Sequence, residues 1–302
     1  MTEYADAPDW TGPLTASGNL RRRERVSRAI EFGAIAAAII AVAMLALVVA
    51  GVVSHGASNL SFSFVTTNES AIAGGGIGNA LIGTGVVVAA GALLAIPIGV
   101  LTALYVTEVA GPASRSGRAL KLGLDLMQGL PTVIVGLFIY GLIVLSQGKQ
   151  TGWAASVALA IVMLPLTARA SQEVLQLVPA SLREAADALG VARWRAVVGV
   201  ILPAAAGGIA TGSILAVARA AGETAPVLIC NSIYTANTTQ LNIFTHGIPT
   251  IPMYIYLSTD SIDPNAIKLA WAAAFVLLIC ILAANIGARV LLARNRARIL
   301  GG

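Results

Sequence analysis

The chain has little charge and almost no cysteine, and both shortages exclude classes of protein. Only 11% of its 302 residues are Asp, Glu, Lys or Arg, whereas an average soluble domain has about 25%. Because 57% of the residues are hydrophobic, the composition nearly excludes a soluble globular enzyme. Two cysteines, Cys230 and Cys280, and two isolated histidines cannot build a disulfide framework or a Cys/His metal site.

The excess of basic residues does not indicate a nucleic-acid-binding protein. The formal net charge is +5, but nucleic-acid binding needs a basic face on a folded soluble module. In this chain the Lys and Arg residues lie between long apolar runs, which is where membrane proteins carry them.

The apolar runs predict transmembrane helices. A helix that crosses the hydrocarbon core needs about 20 predominantly apolar residues. Six segments qualify, at residues 32–53, 81–107, 126–146, 152–170, 205–229 and 269–292. The first is longer than the apolar core of a signal peptide and no small-residue cleavage site follows it, so we interpret it as a retained span. The sequence therefore predicts an all-α membrane protein with six transmembrane helices.

The basic residues also predict the orientation of these spans. Fifteen of the nineteen Lys and Arg residues lie in the two terminal tails and in the connections between spans 2 and 3 and between spans 4 and 5. The opposite side carries only Lys149 and Lys268. Since cytoplasmic loops carry the excess of positive charge, we expect a multi-pass plasma-membrane protein with both termini in the cytoplasm.

The same division predicts the domain organisation. Residues 1–28 are polar in their first 20 or so positions and are predicted to be a disordered cytoplasmic tail. Residues 29–293 form the six-helix domain, with a cytoplasmic loop at 179–203, and residues 294–302 form a cytoplasmic tail. Within the domain, Gly208 and Gly212 have the small-xxx-small spacing that lets helices approach closely.

Four of the spans are interrupted by proline. Pro97, Pro131, Pro165 and Pro226 lie in or at the edge of spans 2 to 5. Kinked or broken helices are tolerated in membranes where neighbours or a cavity satisfy the freed backbone groups. Four such sites together indicate a bundle that moves or lines a path.

The loop between spans 4 and 5 predicts a short amphipathic helix. Ser181 and Glu184 have the spacing of a capping box, and Gly190 supplies a left-handed stop. Apolar residues recur between them at helical spacing: Leu182, Ala185, Ala186 and Leu189. Such a face can dock in a groove of another protein or lie on the lipid surface, and the spacing alone favours neither.

Span 5 contains two opposite charges. Arg219 and Glu223 are four residues apart, so we expect them to share one face of the helix, where they could pair. A charge at the bilayer centre costs about 2.5–3.5 kcal/mol on insertion scales, so it usually faces a bundle interior or a pathway. The two residues either neutralise each other and fix the rotation of the helix, or present a guanidinium fork to a tetrahedral oxyanion with the carboxylate orienting it.

The loop at 179–203 resembles the EAA loop of ABC-importer permeases, in which this helix couples to a cytosolic ATPase. The resemblance implies a coupling site made of six residues: Glu184, Ala185, Ala186, Gly190, Leu202 and Pro203. The nearest candidate for a phosphate-binding loop in this chain, Gly148-Lys149-Gln150, lacks the Ser or Thr that follows the lysine. The resemblance therefore implies a transport subunit without catalytic residues, metal or cofactor of its own, with ATP-Mg bound by a partner ATPase.

Nearly the whole membrane domain, roughly residues 30–293, resembles the PstA family of phosphate-importer permeases. The segments that carry this resemblance are Phe62-Ser63-Phe64, 75–110, 129–141 and, most specifically, ARAAGETAP at 218–226. It implies a type I ABC-importer permease in which Arg219 and Glu223 act in phosphate transport. It extends to Arg169 as well, although an arginine snorkelling to the membrane interface explains that residue equally well.

The resemblance also implies partners. These are a homologous PstC-like permease, two cytosolic PstB-like ATPase subunits and an extracytoplasmic PstS-like phosphate-binding protein. The same architecture could serve another oxyanion, such as sulfate, molybdate or phosphonate. A secondary transporter is the alternative from another class, and it would predict an inverted repeat and ion-coupling carboxylates in the spans.

Overall fold

The computed structural model describes residues 18–68, 75–110, 114–232 and 242–300. The described part contains helices and no strand, which confirms the predicted all-α class. The α-helices are α1 Gly18–Gly56, α2 Phe62–Thr66, α3 Gly78–Leu104, α4 Arg115–Gly129, α5 Thr132–Ile139, α6 Leu145–Gln147, α7 Gly152–Gln176, α8 Ala180–Ala188, α9 Arg193–Ala196, α10 Leu202–Ala221, α11 Ala225–Cys230, α12 Ile251–Thr259 and α13 Pro264–Leu300. Single turns of π-helix follow α3, α5 and α9, at Tyr105–Val109, Tyr140–Val144 and Val197–Ile201.

Six stretches of the described chain are long and apolar enough to cross a membrane. Five are single spans and one is a bent pair: Arg22–Asn59, Gly78–Val109, Gly152–Gln176, Arg193–Ala221, Pro264–Gly287, and Arg115–Gly129 with Thr132–Gln147. The predicted number of spans is confirmed, with the bent pair counted once.

The chain divides into two units, Met1–Gly51 and Val52–Gly302. The sequence predicted a disordered tail at residues 1–28. Within the first unit, α1 begins at Gly18, so residues 18–28 are helical, and residues 1–17 lie outside the described part. Every residue from Arg22 to Ala50 is exposed. Its apolar side chains are therefore available to lipid or to another subunit.

The third span differs from its prediction at its first end. The predicted segment 126–146 contains Pro131, and the chain bends by 100° between α4 and α5. The residue before a proline is driven into extended backbone, and Leu130 has a ψ of 132°. The amphipathic sequence of α4 suits a helix that lies along a membrane surface.

The fifth span, predicted at 205–229 with Pro226 as a possible site of a kink or break, is broken. Helix α10 ends at Ala221, and α11 begins at Ala225 with Pro226 in its first turn. Proline lacks the N–H that an α-helix needs, and its ring clashes with the carbonyl four residues earlier. The N–H groups of Gly222 and Glu223 instead bond to the carbonyls three residues back. The regular α-helix therefore ends between Arg219 and Glu223.

Close helix packing builds the core of the second unit. A Cβ added at Gly91 of α3 would lie 2.9 Å from the carbonyl oxygen of Ser156 in α7. A Cβ at Gly212 of α10 would overlap that of Ala170 in α7, and one at Gly208 would overlap Val174. The close approach predicted for Gly208 and Gly212 is thus confirmed, with α7 at the centre of the bundle.

One apolar cluster supports the loop that contains α8. It joins the end of α3, the end of α7 and the beginning of α10 through Ala103, Leu175, Val178, Ile201, Ala205 and Ile209. This cluster fixes the two points at which the loop leaves and re-enters the bundle.

Candidate coupling and translocation sites

Helix α8 lies in the loop between spans 4 and 5, as predicted, and Gly190 ends it, as predicted. Gly190 has a φ of +65°, and the N–H of Val191 bonds to Ala186 O while that of Gly190 bonds to Asp187 O. This pair of bonds is the Schellman ending, for which glycine is preferred because it tolerates a left-handed backbone. The loop therefore turns sharply after α8.

The predicted capping box is wrong. Pro179 occupies the N-cap position, and no side chain accepts a hydrogen bond there. Ser181 lies inside the first turn, one residue after the helix has begun at Ala180. A capping serine must be outside the helix to bond to its N3 amide, so Ser181 cannot play that part.

Most of the predicted coupling residues are exposed, as a docking surface requires. Glu184, Ala185, Gly190 and Pro203 are exposed, and Leu202 is half-buried. Of the apolar face of α8, Leu189 is 81% exposed and Leu182 38% exposed. Ala186, only 7% exposed, packs inward. Exposed leucines of this kind can dock in a groove of another protein or lie on the lipid surface.

An ion pair that the sequence did not predict anchors α8 to the bundle. The Arg183 Nη2 donates to Glu108 Oε1 at 2.7 Å, and its Nε donates to both carboxylate oxygens at 3.2–3.3 Å. Glu108 lies in the π turn after α3 and is 3% exposed. The hydrogen bond from Glu108 raises the pKa of the Arg183 guanidinium above its ordinary value. The two residues are 75 positions apart, and no local pattern marks them as partners.

Arg219 and Glu223 lie in different environments. Arg219 is exposed on the last turn of α10, while Glu223 is half-buried in the break before α11. Among the described residues no ion pair joins Arg219 to Glu223 or to any other acid. Helix α10 ends between the two residues, and they do not neutralise each other here.

Glu223 lines a narrow cavity together with Thr84, Val88 and Thr250. The hydroxyl of Thr84 donates to Ala80 O and accepts from the N–H of Ile251, which ties the beginning of α12 to α3. The hydroxyl of Thr250, in a residue only 2% exposed, has no hydrogen-bond partner within the described part of the chain. A larger apolar cavity of about 260 Å³ adjoins this space. Glu223 thus lines a space between three segments of the bundle.

Arg169 takes a third position. Its Nη2 pairs with Asp125 Oδ1 of α4, and the two side chains are 31% and 53% exposed. Its neighbour Ala170 packs against Gly212 of α10. Arg219 lies seven residues after Gly212, which is a rise of about 10 Å along the helix axis. Arg169 therefore joins α7 to α4.

Comparison with known proteins relates this geometry to a family. The profile of the family described as "Binding-protein-dependent transport system inner membrane component" matches residues 95–297. The phosphate transport system permease protein PstA of Yersinia pestis is 35% identical over 81% of this chain and 82% of its own length. The protein of the same name from Haemophilus influenzae is 39% identical over 72% and 75%, respectively.

The fold has solved counterparts. One chain in the crystal structure of a bacterial ABC transporter involved in the import of the acidic polysaccharide alginate matches with a TM-score of 0.61. It is 16% identical, and the match covers 89% of this chain and 98% of that one. The predicted type I ABC-importer permease architecture is thereby confirmed.

Proposed function

Because the chain belongs to the family of binding-protein-dependent transport-system inner-membrane components, and within it to the PstA permeases, we propose that it forms half of the translocation pathway of an ATP-driven phosphate importer. It is a permease subunit without an ATPase of its own, and a multi-pass protein of the bacterial plasma membrane. The observation that carries the coupling mechanism is the exposed helix α8, which Arg183 ties to the spans. Phosphate as the substrate rests on the named relatives.

The proposed orientation places α8 and α4 on the cytoplasmic side with both termini. The basic residues of the described loops support this orientation: Arg115, Arg118, Lys121, Arg183, Arg193 and Arg195. The segment before α12 and the cavity at Glu223 then open toward the outer half of the membrane. A phosphate-binding protein would deliver its ligand from that side.

The proposed complex contains a second, homologous permease and two ATPase subunits. The groove of an ATPase would receive the exposed leucines of α8, in the helix-in-groove mode. ATP-Mg would be bound and hydrolysed only in those subunits, and closure of the pair would move α8 and rock the spans between outward and inward access.

Arg219 and Glu223 are the proposed residues of the phosphate pathway. An exposed guanidinium that no acid of the described chain neutralises can present several N–H donors to a tetrahedral oxyanion. It would lower the electrostatic barrier without holding the ion so tightly that release fails. Arg169 is assigned instead to holding α4 against α7, because Asp125 already occupies its guanidinium.

The test is uptake of labelled phosphate by cells that depend on this chain for the importer. We expect uptake that requires the chain and is unaffected by excess sulfate, molybdate or phosphonate. Uptake that one of these anions abolishes would assign the permease to that oxyanion. Phosphate uptake that continues after ATP depletion would contradict an ATP-driven importer.

A further inference from the structure

Arg183 stands at a junction of three structural elements. It belongs to α8, its Nη2 and Nε contact Glu108 at the end of α3, and its Nη1 and Nη2 donate to Val178 O at 2.8 Å and Leu175 O at 2.9 Å. Leu175 O belongs to the last turn of α7, where it also accepts the N–H of Val178, and Val178 O lies just after the end of that helix. One guanidinium therefore binds four acceptors on two spans.

The Glu108 side of this junction is rigid. Glu108 is 3% exposed, and its charge has no ion-pair partner other than Arg183 in the described ranges. A buried carboxylate that loses its partner is strongly disfavoured, so Glu108 must follow the guanidinium or force the spans to rearrange. Displacement of α8 is therefore transmitted to α3 and cannot simply be absorbed by a flexible loop.

The exposed face of α8 is the surface that a partner subunit would contact. Leu189 and Leu182 point to solvent, while Ala186 packs inward beneath them. A partner that binds the exposed leucines can displace α8, and Arg183 is the polar side chain that attaches α8 to the bundle. We propose that the Arg183–Glu108 pair is the positioning element that converts movement of α8 into movement of α3 and α7, separately from the residues that dock the ATPase. This inference rests on the proposed importer function.

The experiment uses the complete complex in proteoliposomes with the binding protein, and measures phosphate taken up per ATP hydrolysed. The main variant replaces both partners, Arg183→Gln with Glu108→Gln, because it leaves no unpaired buried charge. Couplings between sites are typically five- to 150-fold, so we expect the ratio to fall about tenfold while ATP hydrolysis changes less than about twofold. The matched control is Arg118→Gln, which removes one exposed positive charge from α4 and should keep the wild-type ratio.

A second variant keeps the charge and changes the shape. Arg183→Lys retains the attraction to Glu108, but an ammonium cannot reach all four acceptors with the geometry of a planar fork. We expect an intermediate ratio, and this result decides the matter if the double variant fails to assemble. A wild-type ratio in Arg183→Lys and the double variant overturns the proposal.

Two further outcomes distinguish a failure of the transmission role of Arg183 and Glu108 from a failure of the proposed importer function. A proportional loss of uptake and ATP hydrolysis in Arg183→Lys would show that the pair only holds the fold, and it overturns the transmission role. A wild-type complex that hydrolyses ATP but takes up no phosphate rejects the proposed function itself, whatever the variants do.

Discussion

Arg219 and Glu223, four positions apart in the sequence, are separated by the end of a helix and form no ion pair. Helix α10 ends at Ala221, and Glu223 lies in the break that Pro226 enforces. The two charges therefore act on different surroundings: Arg219 is exposed, and Glu223 lines a cavity that Thr84 and Thr250 also line. This separation leaves the guanidinium available to an anion.

Replacing Arg219 with glutamine should reduce phosphate uptake without reducing the amount of protein in the membrane. Hydrogen bonds to charged groups contribute about 1.5–3 kcal/mol each, which corresponds to a fall of about ten- to 150-fold. Arg219→Lys should keep part of the activity, because it keeps the charge but not the fork. Undiminished uptake by Arg219→Gln, with normal membrane insertion, would remove Arg219 from the pathway.

Arg169→Gln should behave differently from Arg219→Gln. Partly exposed ion pairs such as Arg169 with Asp125 contribute about 0–1 kcal/mol, so we expect a small decrease in thermal stability and nearly unchanged uptake. Asp125→Asn removes the other partner and should give the same result. A loss of uptake as large as that of Arg219→Gln, seen in Arg169→Gln alone, would restore Arg169 to the phosphate pathway.

Cross-linking can test the docking face of α8 at single-residue resolution. A cysteine at Leu189, which is 81% exposed, should form a cross-link to the ATPase in the assembled complex, whereas one at Ala186, which is 7% exposed, should not. The background should carry Cys280→Ser, because Cys280 is an exposed thiol. Equal cross-linking from the two positions, or contact of Leu189 only with lipid, would contradict the orientation of α8.

The contact between α10 and α7 predicts a stability difference between two glycines. Gly212→Ala should destabilise the protein by about 1–3 kcal/mol, because its methyl group overlaps Ala170. The matched control, Gly123→Ala in α4, meets no atom within 4 Å and should stabilise its helix by about 0.5–1 kcal/mol. Thermal unfolding measures both, and Ala170→Gly should rescue Gly212→Ala. Equal effects at the two positions would refute the close packing.

The features that the sequence predicted correctly are those that depend on local composition. A run of apolar residues determines a span wherever it occurs, and Gly190 ends α8 because the turn needs a left-handed backbone. The capping box failed because two local signals competed: Pro179 already fixes the N-cap, so the helix begins before Ser181. Pro226 marks the break after Ala221, but its exact position, at Gly222-Glu223-Thr224, does not follow from the apolar pattern, which resumes at Ala225.

The long-range pairs were beyond the reach of sequence patterns. Arg183 meets Glu108, and Arg169 meets Asp125, only because α3, α4 and α7 pack together. Helical periodicity relates residues three or four apart, so it gives no information about such partners. The resemblance to PstA identified Arg219 and Glu223, but it could not supply their geometry.

The complete exposure of Arg22 to Ala50 has a consequence for how this family changes over time. An exposed apolar side chain is constrained mainly by hydrophobicity and by whichever lipid or subunit lies against it. We expect substitutions to accumulate in α1 with little regard to size or shape. The centre of α7, where Gly91 and Gly212 meet it at van der Waals limits, should instead accept very few. The family profile begins at residue 95, well after α1.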